Sequence, residues 1–206
     1  MPVVNRCRSL RQCLVGALLS VACGLVMAVS PGSPAPAFSL KTLDGKAFSL
    51  ADLKGRWVAR EWVNPECPFV QKHYNSGNMQ ETQRFAAASK VVWVQINSTT
   101  PTHKEFKSPP QMRDWLVAMQ SQPEYSALDE SGAVGRAYAA KTTPQMVLID
   151  PAGTVVYNGA IDDKRSSNVA DIPGARNHLK AAIEEVVSGK PVSVPATTPY
   201  GCTIKY

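Results

Sequence analysis

Trp57-Val58-Ala59-Arg60-Glu61-Trp62-Val63-Asn64-Pro65-Glu66-Cys67-Pro68 is the stretch whose reading decides the fold. Trp57 to Val63 is rich in aromatic and β-branched residues and reads as a strand. Asn64-Pro65-Glu66 breaks it. A helix then starts at or near Cys67-Pro68, because proline is tolerated in the first helical turn, where its missing N–H would be unpaired anyway. A central strand therefore delivers a cysteine to the opening of a helix.

Working outward, Asn75-Ser76-Gly77-Asn78 interrupts this helix before Met79 to Ser89 resumes it. Val91 to Ile96 is a short apolar run suited to a buried strand. Ser108-Pro109 supplies an N-cap followed by proline at the first helical position. Met112, Trp115, Leu116 and Met119 then recur at helical spacing. A shorter helix runs through Val134, Ala137 and Tyr138. Gln145 to Ile149 and Thr154 to Tyr157 are strands around the turn Asp150-Pro151-Ala152-Gly153. Leu179, Ala182, Ile183, Val186 and Val187 form the stripe of a last helix, which Gly189 ends. Upstream, Ala37 to Leu40 and Lys46 to Leu50 flank Asp44-Gly45 as an N-terminal β-hairpin. The predicted order is hairpin, β, α, β, α, α, β, β, α and a tail. That is an α/β fold with a mixed central sheet and helices on both faces.

Residues 1–37 do not read as folded structure. Arg6, Arg8 and Arg11 precede an uncharged segment from Cys13 to Val29, then a Pro-rich stretch, Pro31 to Pro36. This is the pattern of a secretory signal peptide, cut after Ala28 or later near Ser30, with an uncleaved membrane anchor as the alternative. The predicted organisation is a leader over 1–28, a spacer over 29–36, one domain over 37–189 and a C-terminal tail over 190–206. The chain is thus expected to be exported, periplasmic or extracellular. No second stretch is apolar enough to span a bilayer, so no membrane contact is expected beyond the leader.

The formal charge is +6, but removing the three leader arginines from 22 basic residues leaves 19 against 16 acidic. No long basic run remains, which argues against nucleic acid as a partner. Of the five cysteines, Cys7, Cys13 and Cys23 lie in the leader. Cys67 and Cys202 stay with the domain. In an oxidising compartment they either pair or leave a reactive thiol.

Cys67 sits where chemistry is expected, because the N–H groups and dipole of a helix N-terminus stabilise a thiolate. Glu66 opposes this if its charge lies close. Thr142-Thr143-Pro144 precedes a strand, and the Thr143-Pro144 bond reads equally as an ordinary edge proline or a cis-proline loop. His73 lies six residues after Cys67, whereas helical neighbours fall at three and four, so a surface or partner-satisfied histidine is expected rather than a Cys–His dyad. Asp162-Asp163 reads as a solvated turn.

The stretch Val63 to Tyr74 closely resembles the redoxins of the AhpC/TSA-like group, in the peroxiredoxin-like branch of the thioredoxin superfamily. The resemblance takes in Thr143-Pro144, the segment Val155 to Asp163 and the terminal Gly201 to Tyr206, so it spans about residues 35–206. It implies a thioredoxin-like fold with Thr143-Pro144 as a cis-proline loop facing Cys67. The Thr143 backbone would then hold a substrate polypeptide in strand-like pairing beside the thiol. The chain departs from the pattern at definite places. Glu66 stands where a thioredoxin has Trp, and Val70 where it has its second cysteine, so no local disulfide can form. Arg60 and Asn64 stand where a typical peroxiredoxin has Pro and the Thr whose hydroxyl positions peroxide.

The resemblance implies an extracytoplasmic thiol–disulfide oxidoreductase or antioxidant protein. Cys67 is its nucleophile, Pro68 and the helix N-terminus tune it, and Cys202 is the candidate resolving thiol. Thr143, Pro144 and Asn64 are the candidate substrate-binding residues. The expected partners are a thiol or disulfide substrate, protein or small molecule, and a reducing thiol. No cofactor and no metal are implied, and the oligomeric state is left open. Two alternatives stand beside this reading. One is a thiol peroxidase. The other is a non-catalytic module in which Cys67 with His73, Met79 or Cys202 holds Cu(I).

Overall fold

The computed structural model describes residues 29–206 and Met1. The rest of the leader, with Cys7, Cys13 and Cys23, lies outside the described residues. The strands are β1 (Ser39–Lys41), β2 (Ala47–Ser49), β3 (Trp57–Trp62), β4 (Val91–Asn97), β5 (Tyr125–Leu128), β6 (Thr142–Thr143), β7 (Gln145–Ile149), β8 (Val155–Gly159) and β9 (Cys202–Thr203). The α-helices are α1 (Pro68–Asn75), α2 (Asn78–Ala88), α3 (Pro109–Ala118), α4 (Ala133–Ala137) and α5 (His178–Val187). Short 3-10 turns at Leu50–Leu53 and Val169–Gly174 complete the chain.

The central sheet has the order β5-β4-β3-β7-β8. β3 runs parallel to β4 and β4 to β5, while β7 is antiparallel to both β3 and β8. The mixed sheet and the β1–β2 hairpin match the sequence reading. The edge strand β5 does not appear in that reading. It has four residues, most of them only half-buried, so neither length nor alternation marks it.

Two apolar layers cover the two faces of the sheet. Ala59, Trp93, Met146 and Leu148 face one way and pack with Val70, Met79, Met112, Leu179 and Ile183 from α1, α2, α3 and α5. Val58, Trp62, Val92, Val94 and Val147 face the other, with Phe38, Phe48, Val134 and Ile204. The period of two along a strand produces this division. It also separates two adjacent charges. Arg60 and Glu61 are both wholly buried, yet point to opposite faces and cannot pair. Arg60 lies against the rings of Tyr138 and Phe38, 3.8 and 4.3 Å from their centroids. Glu61 accepts hydrogen bonds from Tyr74 at 3.0 Å and Trp93 at 3.1 Å.

Residues 29–36, expected as a spacer outside the fold, instead lie against the sheet edge. Gly32 N–H donates to Val155 O at 2.8 Å, Ala35 N–H to Gly153 O at 2.8 Å, and Asn158 Nδ2 to Val29 O at 2.8 Å. β8 is an edge strand with unpaired backbone groups, and this segment satisfies those of Val155. In the last helix Leu179, Ala182 and Ile183 are buried as the stripe requires, but Val187 faces solvent. Among the described residues no helix is long and apolar enough to cross a membrane.

Candidate active site

Cys67 is the N-cap of α1, with Pro68 at the first helical position. Its carbonyl accepts the first helical bond, from Gln71 N–H at 2.9 Å. Asn64 and Cys67 close the turn between β3 and α1, with Cys67 N–H donating to Asn64 O at 3.0 Å. Unlike a serine or aspartate cap, the Cys67 side chain makes no bond to its own helix. The thiol instead donates to the carbonyl of Thr143 at 3.0 Å, and Cys67 is only 1% exposed.

Thr143–Pro144 is a cis peptide bond, which settles the two readings of Pro144. Thr143 belongs to β6, whose partner is β9: Thr143 pairs with Cys202 and Thr142 with Thr203, antiparallel. The fold thus brings Cys67, Thr143-Pro144 and Cys202 to one place. The backbone edge at Thr143, where a substrate strand was expected, is taken by the chain's own tail.

Cys67 and Cys202 are both free thiols here. They are not equivalent. Burial first, and then a hydrogen bond and charge shared with Cys67, push the Cys202 thiol up to about 12. Cys202 therefore keeps its proton at neutral pH. Glu66, whose charge was expected to oppose a thiolate at Cys67 if it lay close, is exposed and ion-paired with Lys107 at 2.5 Å. Asn64 is buried, and its side chain is committed: Nδ2 donates to Glu105 Oε2 at 2.7 Å, while Oδ1 accepts from Glu66 N–H at 2.9 Å. Its amide holds the loop.

A second buried polar cluster lies behind α1. Lys72 Nζ approaches Asp162 Oδ2 at 3.4 Å and donates to Lys164 O at 2.7 Å. The Tyr200 hydroxyl donates to Asp162 Oδ1 and lies 3.3 Å from His73 Nε2. His73 Nδ1 meets Asn78 Nδ2 at 2.8 Å. Burial lowers His73 to about 4, so its ring is neutral. His73 is thus the partner-satisfied histidine that helical spacing implied. Asp162 corrects the expected solvated turn, for it is 1% exposed. No local signal gives this away, because its hydroxyl partner, Tyr200, returns from far along the chain. Asp163 does behave as a loop residue, accepting from Arg176 N–H at 2.9 Å. Among the described residues no three His, Cys, Asp or Glu side chains gather as a metal site.

The AhpC/TSA family model matches residues 31–158. No curated protein matches the chain significantly. Among solved structures, an uncharacterized conserved protein from Geobacillus kaustophilus is 26% identical, with a TM-score of 0.73 over 86% of this chain and 93% of its own. A hypothetical protein from Sinorhizobium meliloti 1021 is 25% identical, with a TM-score of 0.71 over 87% of this chain and 96% of its own. The thioredoxin domain of a thiol-disulfide oxidoreductase from Bacteroides vulgatus is 20% identical, with a TM-score of 0.52 over 71% of this chain and 97% of its own. The last likeness speaks to the fold, which is thioredoxin-like.

Proposed function

The chain belongs to the AhpC/TSA family, and from that membership together with its paired thiols we propose that it is a thiol–disulfide oxidoreductase acting outside the cytoplasm, with Cys67 as nucleophile and Cys202 as resolving thiol. The observation that carries the reading is the β6–β9 pairing, which sets Cys202 opposite Thr143, the residue whose carbonyl holds the Cys67 thiol.

The reaction balances as two exchanges. The Cys67 thiolate attacks one sulfur of a substrate disulfide. A Cys67–substrate bond forms, the substrate S–S bond breaks, and the leaving thiolate takes up a proton. Cys202 then loses its proton and attacks the Cys67 sulfur, releasing the second substrate thiol and leaving a Cys67–Cys202 disulfide. The substrate gains two electrons and the cysteine pair loses two. An external dithiol restores the starting state, and run backwards the same steps oxidise a dithiol. Holding the resolving thiol in place makes the second step intramolecular, which is its main advantage. The predicted export leader suits this chemistry, since disulfides form and persist in oxidising compartments.

Peroxide chemistry is the second reading, favoured by family membership. It is disfavoured at Asn64, whose donor is occupied by Glu105. A preorganised donor on the attacked oxygen commonly contributes about a hundredfold or more in rate. Stopped-flow reaction of the reduced protein with hydrogen peroxide and with a small disulfide separates the two, with Cys67→Ser as the blank. Faster disulfide exchange that vanishes in Cys67→Ser is the expected result. Peroxide oxidation at rates typical of a dedicated peroxidase, with disulfide exchange no better than a free thiol, replaces the first reading by the second. Independence of both reactions from Cys67 removes both, and Cu(I) titration of the thiols becomes the next test.

A further inference from the structure

The tail enters the site as an ordered strap. Asn158 N–H donates to Pro195 O at 3.0 Å, and Ala160 N–H to Thr197 Oγ1 at 2.9 Å. Past the site, Ile204 N–H donates to Lys141 O at 3.1 Å, Thr100 N–H to Lys205 O at 2.7 Å, and the Tyr206 hydroxyl to Ala140 O at 2.8 Å. Between these anchors, β9 pairs with the backbone at Thr143, beside Cys67, an edge to which an extended polypeptide could otherwise add as a strand.

Two features fix β9 there. Tyr200, two residues before Cys202, is 5% exposed and sends its hydroxyl into the Asp162–Lys72–His73 cluster, while its ring packs on Phe69, the second residue of α1. A polar cluster buried this completely is anchored to the fold by its hydrogen bonds, and freeing one member leaves the others unpaired. Gly201 then passes so close to the loop that a Cβ on it would stand 2.0 Å from the Thr143 carbonyl oxygen, at a φ of +136° that favours glycine. The strand is fitted to its place from both ends.

We propose that β9 is a built-in substrate strand, latched by Tyr200, which reserves Cys67 for small disulfides and admits polypeptide disulfides only when the latch opens. The inference rests on the thiol–disulfide reading above and narrows its substrate class. A small disulfide needs only a local opening to reach the sulfur of Cys67. A polypeptide must also displace β9 from Thr143, and that displacement draws Tyr200 out of its cluster. In the resting molecule the tail presents Cys202 as such a substrate would present its own sulfur.

The test uses the full mature chain in a Cys202→Ser background, so that only the first attack is read. The reduced protein is mixed with excess 2-hydroxyethyl disulfide or insulin. Mixed disulfide at Cys67 is trapped by acid and quantified by mass spectrometry, each rate being normalised to that of free glutathione with the same probe. The expected result is normalised selectivity for the small disulfide. Tyr200→Phe is expected to raise the insulin rate on the order of tenfold to a hundredfold, the range set by a buried hydrogen bond to a charged group. The small-disulfide rate should change less than about threefold by the same reasoning. Gly201→Ala, which pushes β9 off Thr143 without touching the polar cluster, should act in the same direction, and it carries the test alone if Tyr200→Phe fails to fold by circular dichroism. An insulin rate that does not move, or a parent protein that takes insulin as readily as the small probe, overturns the inference. Equal acceleration of both probes overturns it too, since that is general loosening. Absence of any Cys67-dependent reaction with 2-hydroxyethyl disulfide is a different failure, that of the proposed function itself.

Discussion

Replacing Glu61 by Gln tests whether the buried polar layer under the active-site helix is arranged as described. Glu61 is wholly buried, faces no cation among the described residues, and accepts from Tyr74, Trp93 and Gln95. Burial dominates those hydrogen bonds and raises its carboxyl from 4.5 to about 7. The folded state therefore prefers the neutral acid. The stability this preference contributes is fully present below the unfolded value, and is lost as pH rises through the folded one. A rise from 4.5 to about 7 corresponds to on the order of 3 kcal/mol, most of it lost between about pH 5 and pH 8. Gln keeps the shape and never ionises. The assay is urea unfolding of the reduced protein, wild type against Glu61→Gln, at several pH values across that window. Other titrating groups cancel in the difference, so the stability of the variant relative to wild type should climb by roughly 2–3 kcal/mol from about pH 5 to pH 8. A difference that stays constant with pH would show that folding does not raise the Glu61 carboxyl above its unfolded value, and would refute the reasoning.

Lys72→Met strands Asp162 as a buried carboxylate without its cation, and breaking such a pair costs about 3–5 kcal/mol. A domain of this size should then melt roughly 6–20 °C lower, and adding Asp162→Asn should recover part of the loss, which differential scanning calorimetry of the single and double variants reads. At the N-terminus, Val29 is buried and its carbonyl accepts from Asn158. Export processing is expected to leave a first residue between Val29 and Phe38; sequencing of protein from native cells checks this, and an intact Met1 in a soluble cytosolic fraction contradicts it.

Much of this molecule was legible in the sequence because the deciding signals are local. β3 and β4 announce themselves by β-branched and aromatic runs, the α1 start by Pro68, and the last helix by the spacing of Leu179, Ala182 and Ile183. The candidate site was legible as far as Cys67 and Thr143-Pro144, which the antiparallel pairing of β3 with β7 brings together at one end of the sheet. What stayed hidden is non-local. β6 and β9 have two residues each and exist only because the tail returns to the cis-proline loop. Asp162 looks like a surface turn until Tyr200 arrives to bury it. Residues 29–36 look like a linker until the unpaired edge of β8 is in view. Asn64 was read as a candidate substrate-binding residue, but its side chain is held by Glu105, on a loop beyond β4.

Non-reducing mass mapping after a single round of oxidation tests the central claim most directly. The reduced mature protein is given one equivalent of 2-hydroxyethyl disulfide, free thiols are blocked by alkylation, and the digest is mapped without reductant. The account predicts a monomer carrying a Cys67–Cys202 bond, with two equivalents of the small thiol released. A persistent mixed disulfide on Cys67 beside an alkylated Cys202, or a bond between two chains, would contradict it.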